Sequence, residues 1–169
     1  MTRKEIITFY RIHSRRLYNM SYRILLSPED AEEVMQDTIL KYVSSPLRPL
    51  LPEQVSAWLA RTCIRASIDR LRKQQREKAF LQEYAAETAS MGTEPENDIP
   101  DGIGADRILE AVRRLPEPYR LAVTLVLVEG LDYQEIAAYT GLKEATLRSH
   151  FLRGKQKLIE MLKEDEKQI

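Results

Sequence analysis

Two long stretches of this 169-residue chain carry helix-spaced apolar residues, and a stretch without such spacing separates them. Members of the first series are Ile6, Tyr10, Leu17, Met20 and Ile24. Spacings of three, four and seven place side chains on one face of an α-helix. The separating stretch contains Pro-Asp-Gly and many acids, a composition that favours turns. We therefore predict an all-α protein with two small helical domains, 1–84 and 105–169, joined by a flexible acidic linker, 85–104.

The first domain carries clear signals for helix ends. Apolar spacing predicts a helix over about 4–26. The run Ser27-Pro28-Glu29-Asp30 then supplies an N-cap, a proline at the first helical position and acids in the first turn, which predicts a second helix to about Ser44. Three prolines within 45–52 break that helix, and helical spacing resumes over 53–71.

The second domain ends in the sequence form of a helix-turn-helix. After apolar helices near 108–115 and 116–129, Asp132 is placed to cap another helix, with Glu135 three residues on as in a capping box. Gly141 ends that helix, and a long basic helix follows to about residue 162. A short helix, a glycine turn and a longer basic helix in this order are typical of DNA-binding modules.

The 3.6-residue period divides the last helix into two faces. The predicted inward face comprises Leu147, Phe151, Gly154, Leu158 and Leu162, and Gly154 would permit a close approach. The predicted outward face comprises Thr146, Ser149, Arg153, Gln156 and Lys157, with Arg148 at its flank. Such side chains suit contacts with phosphates and base edges. A merely solvated amphipathic helix is the alternative, which the capped helix and glycine turn before it disfavour.

Charge is segregated along the chain, although 26 basic residues balance 26 acidic ones. Residues 61–78 carry a net charge of +5 and residues 143–163 a net charge of +4. Residues 82–106 carry seven acids without a Lys or Arg, a net charge of −7. The neutral total therefore does not exclude a nucleic-acid partner, because two basic stretches remain available to phosphates.

Several classes of protein are disfavoured by composition. The single cysteine, Cys63, excludes an intramolecular disulfide and a cysteine metal cluster. His13 and His150 lie in different domains and are each expected at the surface, and no phosphate loop or metal-ligand spacing occurs. We expect no enzyme, cofactor, metal or small-molecule substrate. Without an apolar run of membrane-spanning length or a signal peptide, the expected location is the cytoplasm, without membrane insertion.

Ordered motifs in both domains resemble the sigma-70 family of RNA polymerase sigma factors. Region 4 of that family is similar to segments 115–120, 129–137, 141–142, 146–149 and 153–158. Region 2 is similar to segments 27–38, 57–61 and 68–72. The missing regions 1 and 3 indicate the extracytoplasmic-function (ECF) subgroup. The resemblance implies a protein that binds core RNA polymerase and promoter DNA and directs promoter recognition, DNA opening and transcription initiation.

The resemblance also implies roles for particular residues. The implied polymerase-binding residues are Asp30, Glu32, Glu33, Gln36 and Asp37. Those implied to bind the minus-10 element are Arg61, Arg65, Arg70, Arg72 and Lys73. Those implied to bind the minus-35 element are Lys143, Thr146, Arg148, Ser149, Arg153 and Lys157. Surface charge without a partner is the alternative for each set. The sequence departs from the common family residues at Arg65, Lys143, His150 and Gly154, so the promoter sequence does not follow.

Other features leave alternatives open. The apolar, proline-rich loop 44–52 precedes the minus-10 helix and could hold an unstacked base, whereas Trp58 is expected more often in a core than in a stacking platform. The acidic linker is either a tether or a mimic of nucleic-acid charge. Family members are usually held inactive by an anti-sigma factor, so the resemblance implies such a partner too.

Two other functions compete with the sigma-factor interpretation. A stand-alone helix-turn-helix regulator needs only the second domain and leaves the first 80 or so residues unexplained. A helical adaptor that does not bind polymerase explains the acidic second helix but not two separate basic helices. Binding to core polymerase separates these possibilities.

Overall fold

The computed structural model describes residues 1–85 and 98–167, and all regular structure in those ranges is helical. Its α-helices are α1 (Arg3–Leu25), α2 (Pro28–Ser44), α3 (Pro52–Gln74), α4 (Glu77–Ala85), α5 (Ala105–Arg113), α6 (Tyr119–Val123), α7 (Tyr133–Thr140) and α8 (Glu144–Lys167). A π-helical turn, Thr124–Val128, follows α6. The predicted all-α class is confirmed. Backbone contacts divide the chain into two compact units, Met1–Gln75 and Arg76–Ile169.

Side chains set the helix starts in the first unit. Thr2 and Glu5 form a capping box at α1, in which each side chain accepts a hydrogen bond from the other residue's backbone N–H (3.2 and 2.7 Å). The Ser27 hydroxyl accepts from the Asp30 N–H at 3.3 Å, and Pro28 occupies the first helical position of α2. The N-cap predicted at Ser27 is therefore confirmed.

The first unit is a three-helix bundle with one apolar core. Residues of α1, α2 and α3 that are buried in it include Leu17, Ile24, Ala31, Leu59, Ile64 and Ile68. Buried hydroxyl groups lie among them: the Ser67 hydroxyl donates to the Cys63 carbonyl at 2.8 Å and lies 2.8 Å from the Ser21 hydroxyl. Because buried polar groups require partners, this arrangement satisfies the Ser67 hydroxyl and joins α1 to α3. Cys63 is buried, as a small packing residue should be.

The second unit packs α5 and α6 against α8. Its core cluster comprises Ala111, Val112, Leu115, Val123, Leu158 and Leu162. The close approach predicted for Gly154 is confirmed, because a Cβ there would lie 2.5 Å from Val123 Cγ2 and 3.2 Å from the Tyr119 carbonyl oxygen. The π-helical turn closes where the Glu129 N–H donates to the Thr124 carbonyl at 3.0 Å. Gly130 follows with φ +71°, in the left-handed region that favours glycine.

Backbone contacts group α4 with the second unit, whereas the sequence placed its residues in the first domain. The Tyr84 hydroxyl donates to Glu117 Oε2 at 2.7 Å, and Glu117 also forms an ion pair with the buried Arg120. Phe80 stacks on Tyr84 with ring centroids 4.3 Å apart. Most of the predicted linker, including its acids Glu87, Glu94 and Glu96, lies outside the described residues.

No helix in the described ranges is both long and apolar enough to cross a membrane.

Candidate functional site

The acidic residues predicted to bind polymerase lie along α2. Glu32, Glu33, Gln36 and Asp37 are exposed, and Asp30 is partly buried. Val34, Met35 and Thr38 face the core instead, as the helical period requires. The Gln36 amide donates to Glu32 Oε1 at 3.3 Å. The structure therefore brings all five residues together near one side of the first unit.

Arg70 of α3 joins two of these acids. Its Nη1 atom donates to Asp30 Oδ1 at 3.1 Å and to Glu33 Oε2 at 2.9 Å. Gln74, one turn further along α3, donates to Asp30 Oδ2 at 2.8 Å. One residue predicted to bind the minus-10 element is thus engaged by two residues predicted to bind polymerase.

Electrostatics at this junction favour the charged forms. The hydrogen bond and the positive charge of Arg70 lower the pKa of Glu33 below its usual value. The same hydrogen bond, with the nearby charges of Glu33, Asp30 and Asp37, raises the pKa of Arg70. Because both shifts favour ionisation, Glu33 and Arg70 remain charged at neutral pH.

A charged groove of about 870 Å³ lies between α2 and α3. Its charged lining residues are Asp30, Asp37, Lys41, Arg65, Asp69, Arg70 and Lys73. Arg61, Arg65 and Lys73 are exposed, while Arg72 is half-buried. Two residues predicted to bind polymerase, Asp30 and Asp37, therefore line the same groove as three predicted to bind the minus-10 element. Those three are Arg65, Arg70 and Lys73.

A second cavity, of about 500 Å³, lies beside the loop before α3. Leu47, Pro49, Trp58 and Arg61 line it, together with Gln54, Ala57 and Thr62. The Tyr42 hydroxyl donates to the Pro49 carbonyl at 2.7 Å, and the Tyr42 ring meets the Trp58 ring edge-on at 5.7 Å. Leu47 is 91% exposed and Trp58 is half-buried, so this loop presents apolar surface beside a partly exposed indole.

The predicted helix-turn-helix is α7, Gly141 and α8. Asp132 caps α7 by accepting from the Glu135 N–H at 2.8 Å, as the sequence indicates. Gly141 has φ +78°, which explains the glycine at the turn. The buried Thr140 hydroxyl donates to the Ile136 carbonyl at 2.8 Å and lies 3.2 Å from the Leu142 N–H. Sequence reasoning overlooked Thr140, although a threonine beside a glycine turn is a signal for local side-chain bonding.

The inward face predicted for α8 is confirmed, but the outward face requires correction. Leu147, Gly154, Leu158 and Leu162 are buried, and Phe151 is half-buried. Thr146 and Ser149, expected outward, are each only 3% exposed. Their side chains turn inward because other elements of the unit cover more than one stripe of α8. Of the residues predicted to bind DNA or to face outward, Lys143, Arg148, Gln156 and Lys157 are exposed, and Arg153 is half-buried.

Aromatic rings support two of the cations on α8. The Arg148 guanidinium carbon lies 5.4 Å from the centroid of Tyr133 on α7, and Lys157 Nζ lies 5.6 Å from the centroid of Tyr119 on α6. Both distances suit cation–π contacts. Lys155 bonds an acid instead, donating to Asp98 Oδ1 at 3.3 Å. Sequence reasoning missed both tyrosines, since nothing in their spacing to the cations is visible without the fold.

The expected surface position of His150 is wrong. Its side chain is 1% exposed and its ring meets that of Tyr119 edge-on, with centroids 6.1 Å apart. His13 is half-buried beside Phe9, and burial lowers its pKa. Neither histidine belongs to a metal-binding cluster, since the ranges 1–85 and 98–167 contain no group of three His, Cys, Asp or Glu residues suited to an ion.

Comparison with known families accounts for both units. The model of Sigma-70 region 2 matches residues 9–77, and the model of Sigma-70, region 4 matches residues 105–158. The chain belongs to the sigma-70 family. All the predicted polymerase and minus-10 residues lie within the region 2 match, and all the predicted minus-35 residues lie within the region 4 match.

Relatives of this sigma factor include two bacterial proteins. It is 34% identical over 155 residues to the ECF RNA polymerase sigma factor SigE of Mycolicibacterium smegmatis, covering 90% of this chain but 59% of that protein. It is 28% identical to the RNA polymerase sigma factor SigV of Bacillus subtilis, covering 97% and 95% of the two chains. This sigma factor therefore spans little more than half of one relative and nearly all of the other.

A solved structure shares the fold of this sigma factor. It is the sigma factor RpoE from Bartonella quintana, crystallised with the anti-sigma factor NepR. The TM-score is 0.51 and the identity 22%, over 95% of this chain and 98% of that one. The two family regions belong to sigma factors, which are transcription initiation factors and not enzymes, and the relatives that this chain matches include ECF sigma factors.

Proposed function

We propose that this ECF sigma factor binds core RNA polymerase and directs promoter recognition, DNA opening and transcription initiation. The proposal rests on one observation: each family region contains its own candidate binding surface. Region 2 contains the acidic side of α2 and the basic helix α3, and region 4 contains the helix-turn-helix. A stand-alone regulator would need only the second of these surfaces.

The acidic side of α2 is proposed to bind the polymerase. Glu32, Glu33, Gln36 and Asp37 are exposed there within about two helical turns, so a basic or polar surface could contact them together. Acidic residues at an interface mainly steer association and select the partner. Leu40, 63% exposed and one turn beyond Asp37, adds apolar area to the same stripe.

The minus-10 element is proposed to bind along α3 and its preceding loop. Arg61, Arg65 and Lys73 are exposed and suited to phosphates. Arg61 also lines the cavity beside Leu47 and Trp58, so a base leaving the duplex would meet apolar and aromatic surface next to a positive charge. Stacking of that kind offsets the few kcal/mol that unstacking costs. Trp58 is thereby available to a base while still packing against Tyr42.

The minus-35 element is proposed to bind the exposed side of α8. Arg148, Gln156 and Lys157 are exposed, and Lys143 stands just before the helix. In a helix-turn-helix the second helix enters the major groove and its polar residues read base edges. Thr146 and Ser149 are excluded from the proposed contact set, because both are buried.

The remaining partners and the location follow from the same role. RpoE of Bartonella quintana was crystallised with the anti-sigma factor NepR, which supports proposing an anti-sigma partner here. Because a promoter-directing factor acts where polymerase and chromosome meet, we place this protein in the cytoplasm. The domain limits 1–84 and 105–169, with an acidic linker at 85–104, are likewise proposed as the functional division, although backbone contacts group α4 with the second unit.

The decisive experiment mixes the full chain with core RNA polymerase and measures complex formation, then promoter-specific transcription. We expect a stable complex and transcripts that core polymerase alone does not make. Asp37→Asn should weaken the complex at least about tenfold, because it removes an exposed charge from the proposed interface. Glu53→Gln, an equal charge change in the first turn of α3, should not.

Absence of a complex with the wild-type chain would overturn the proposal. If the chain then bound DNA specifically without polymerase, the stand-alone regulator would replace it. Equal weakening by Asp37→Asn and Glu53→Gln would contradict the assignment of the docking surface. The loss of affinity would then depend on the net charge of the protein and not on the position of the acid.

A further inference from the structure

One guanidinium nitrogen joins two residues of the proposed docking surface. Arg70 Nη1 lies 3.1 Å from Asp30 Oδ1 and 2.9 Å from Glu33 Oε2, and it donates to both. Gln74 donates to the other oxygen of Asp30 at 2.8 Å. Both oxygens of the Asp30 carboxylate are therefore held from α3, the helix proposed to bind the minus-10 element.

These contacts leave Arg70 poorly placed for DNA. Its side chain is 28% exposed, and its Nη1 atom already serves two carboxylates. A phosphate that replaced them would have to separate Arg70 from Glu33 and Asp30, leaving two neighbouring acids on α2 without the cation between them. Like charges three residues apart on a helix repel each other.

We propose that Arg70 is a positioning residue for polymerase docking, and that it orients Asp30 and Glu33 from α3 instead of binding promoter phosphate. This inference rests on the proposed function, because it assigns Arg70 a role in the same interface. Glu33 is largely exposed and would otherwise sample several rotamers. Holding its carboxylate before the partner arrives reduces the entropy lost on binding.

The geometry also explains why arginine is needed. A planar guanidinium offers several N–H groups in fixed directions, whereas lysine offers a compact charge on a flexible stem. Lysine at this position could approach one carboxylate but would hold two less well. Arg70→Lys should therefore keep only part of the polymerase affinity that Arg70→Gln loses. A role through positive charge alone would predict full affinity, because lysine keeps the charge.

The test compares the affinity of full-length variants for core RNA polymerase at one salt concentration. Arg70→Gln should weaken binding about fivefold, and Arg70→Lys by less. Arg15→Gln is the matched control: it removes the same charge from an exposed arginine of α1 and should bind as the wild type does. Thermal unfolding followed by Trp58 fluorescence checks that the first unit, which holds the protein's single tryptophan, stays folded.

A double-mutant cycle with Glu33→Gln separates positioning from a general structural role. If Arg70 acts through Glu33, the loss of polymerase affinity in the double variant should be smaller than the sum of the two single losses, because Arg70 has no Glu33 carboxylate left to orient. Fully additive losses would overturn the inference. Wild-type polymerase affinity in Arg70→Gln would also overturn the inference. If promoter binding by the assembled complex fell instead, Arg70 would be a phosphate contact.

The outcomes distinguish this inference from the proposed function. If the wild-type chain binds polymerase and Arg70→Gln binds equally well, only the inference fails. If the wild-type chain does not bind, both fail. Should Arg70→Gln not fold, the same cycle is run with Arg70→Lys and Glu33→Gln, and additivity there overturns the inference equally.

Discussion

The basic helices of the two units hold some of their cations with different partners. On α3, Arg70 bonds the carboxylates of Asp30 and Glu33 from the neighbouring helix. On α8, Arg148 and Lys157 lie over the rings of Tyr133 and Tyr119. Both helices are rich in Lys and Arg, and their net charges alone do not reveal this difference.

The difference determines where positive charge is available to DNA. A carboxylate orients a cation but cancels its charge, whereas an aromatic ring orients a cation and leaves its charge in place. Arg148 and Lys157 therefore remain suited to phosphates and base edges, while Arg70 belongs to an internal ion pair. A count of basic residues overestimates the DNA surface of the first unit by Arg70 and that of the second by Lys155, which bonds Asp98.

The largest expected effect tests how tightly α8 is seated in the second unit. Gly154→Ala should destabilise that unit by about 2 kcal/mol, because the added Cβ meets Val123 and Tyr119 and overpacking outweighs the gain in helix propensity. Urea unfolding followed by circular dichroism measures the change. Gly104→Ala, where a Cβ meets nothing within 4 Å, is the control. Equal stability of Gly154→Ala and wild type would show that the contact relaxes freely.

The next effect concerns cations of α3 that lie outside the ion pairs with α2. Arg65→Gln should lower the affinity of the polymerase complex for its promoter and reduce the slope of log affinity against log salt by about one, because one phosphate contact is lost. Promoter binding measured over a series of salt concentrations gives the slope, with Arg15→Gln as control. An unchanged slope would show that Arg65 does not contact a DNA phosphate.

A smaller effect tests the aromatic support of α8. Tyr133→Leu keeps an apolar side chain but removes the ring beneath Arg148, which should weaken minus-35 binding about two- to fivefold. Tyr133→Phe keeps the ring and should bind as the wild type does. Competition binding with promoter fragments that differ only in the minus-35 element measures both. Equal losses of affinity in the two variants would show that the tyrosine hydroxyl, and not the ring, supports binding.

The smallest effect is a pH dependence confined to the first unit. Because the pKa of Glu33 is lower in the folded chain than its ordinary value near 4.5, its ion pair stabilises the fold above that value and is lost as the pH falls through the folded pKa. Urea unfolding followed by Trp58 fluorescence should show a slightly shallower acid loss in Glu33→Gln. An identical pH profile in both proteins would show that Glu33 does not contribute to the loss of stability in acid.

Much of the fold was predictable because local signals agreed with one another. Ser27 and Asp132 cap helices where the sequence places them, and Gly141 takes the left-handed conformation at the predicted turn. Gly154 lies in the predicted close contact. Such features depend on residues a few positions apart, so the sequence contains the information directly.

The candidate site was less predictable because exposure depends on distant neighbours. Thr146 and Ser149 lie on the polar side of α8 by residue type, yet both are buried. His150 was expected at the surface and packs against Tyr119. A helical wheel identifies the centre of an apolar face, but the width of that face depends on how many elements pack against the helix.

By itself, the sequence determined that this protein is a two-part helical sigma factor, because helix periodicity, caps and ordered family motifs are local properties of the chain. Only the tertiary structure decided which cations face solvent and which are held by partners. Arg70 and Asp30 are 40 residues apart and Arg148 and Tyr133 lie on different helices, yet each pair is in contact. Electrostatic and cation–π interactions depend on distances in space, which residue type and spacing along the chain do not specify.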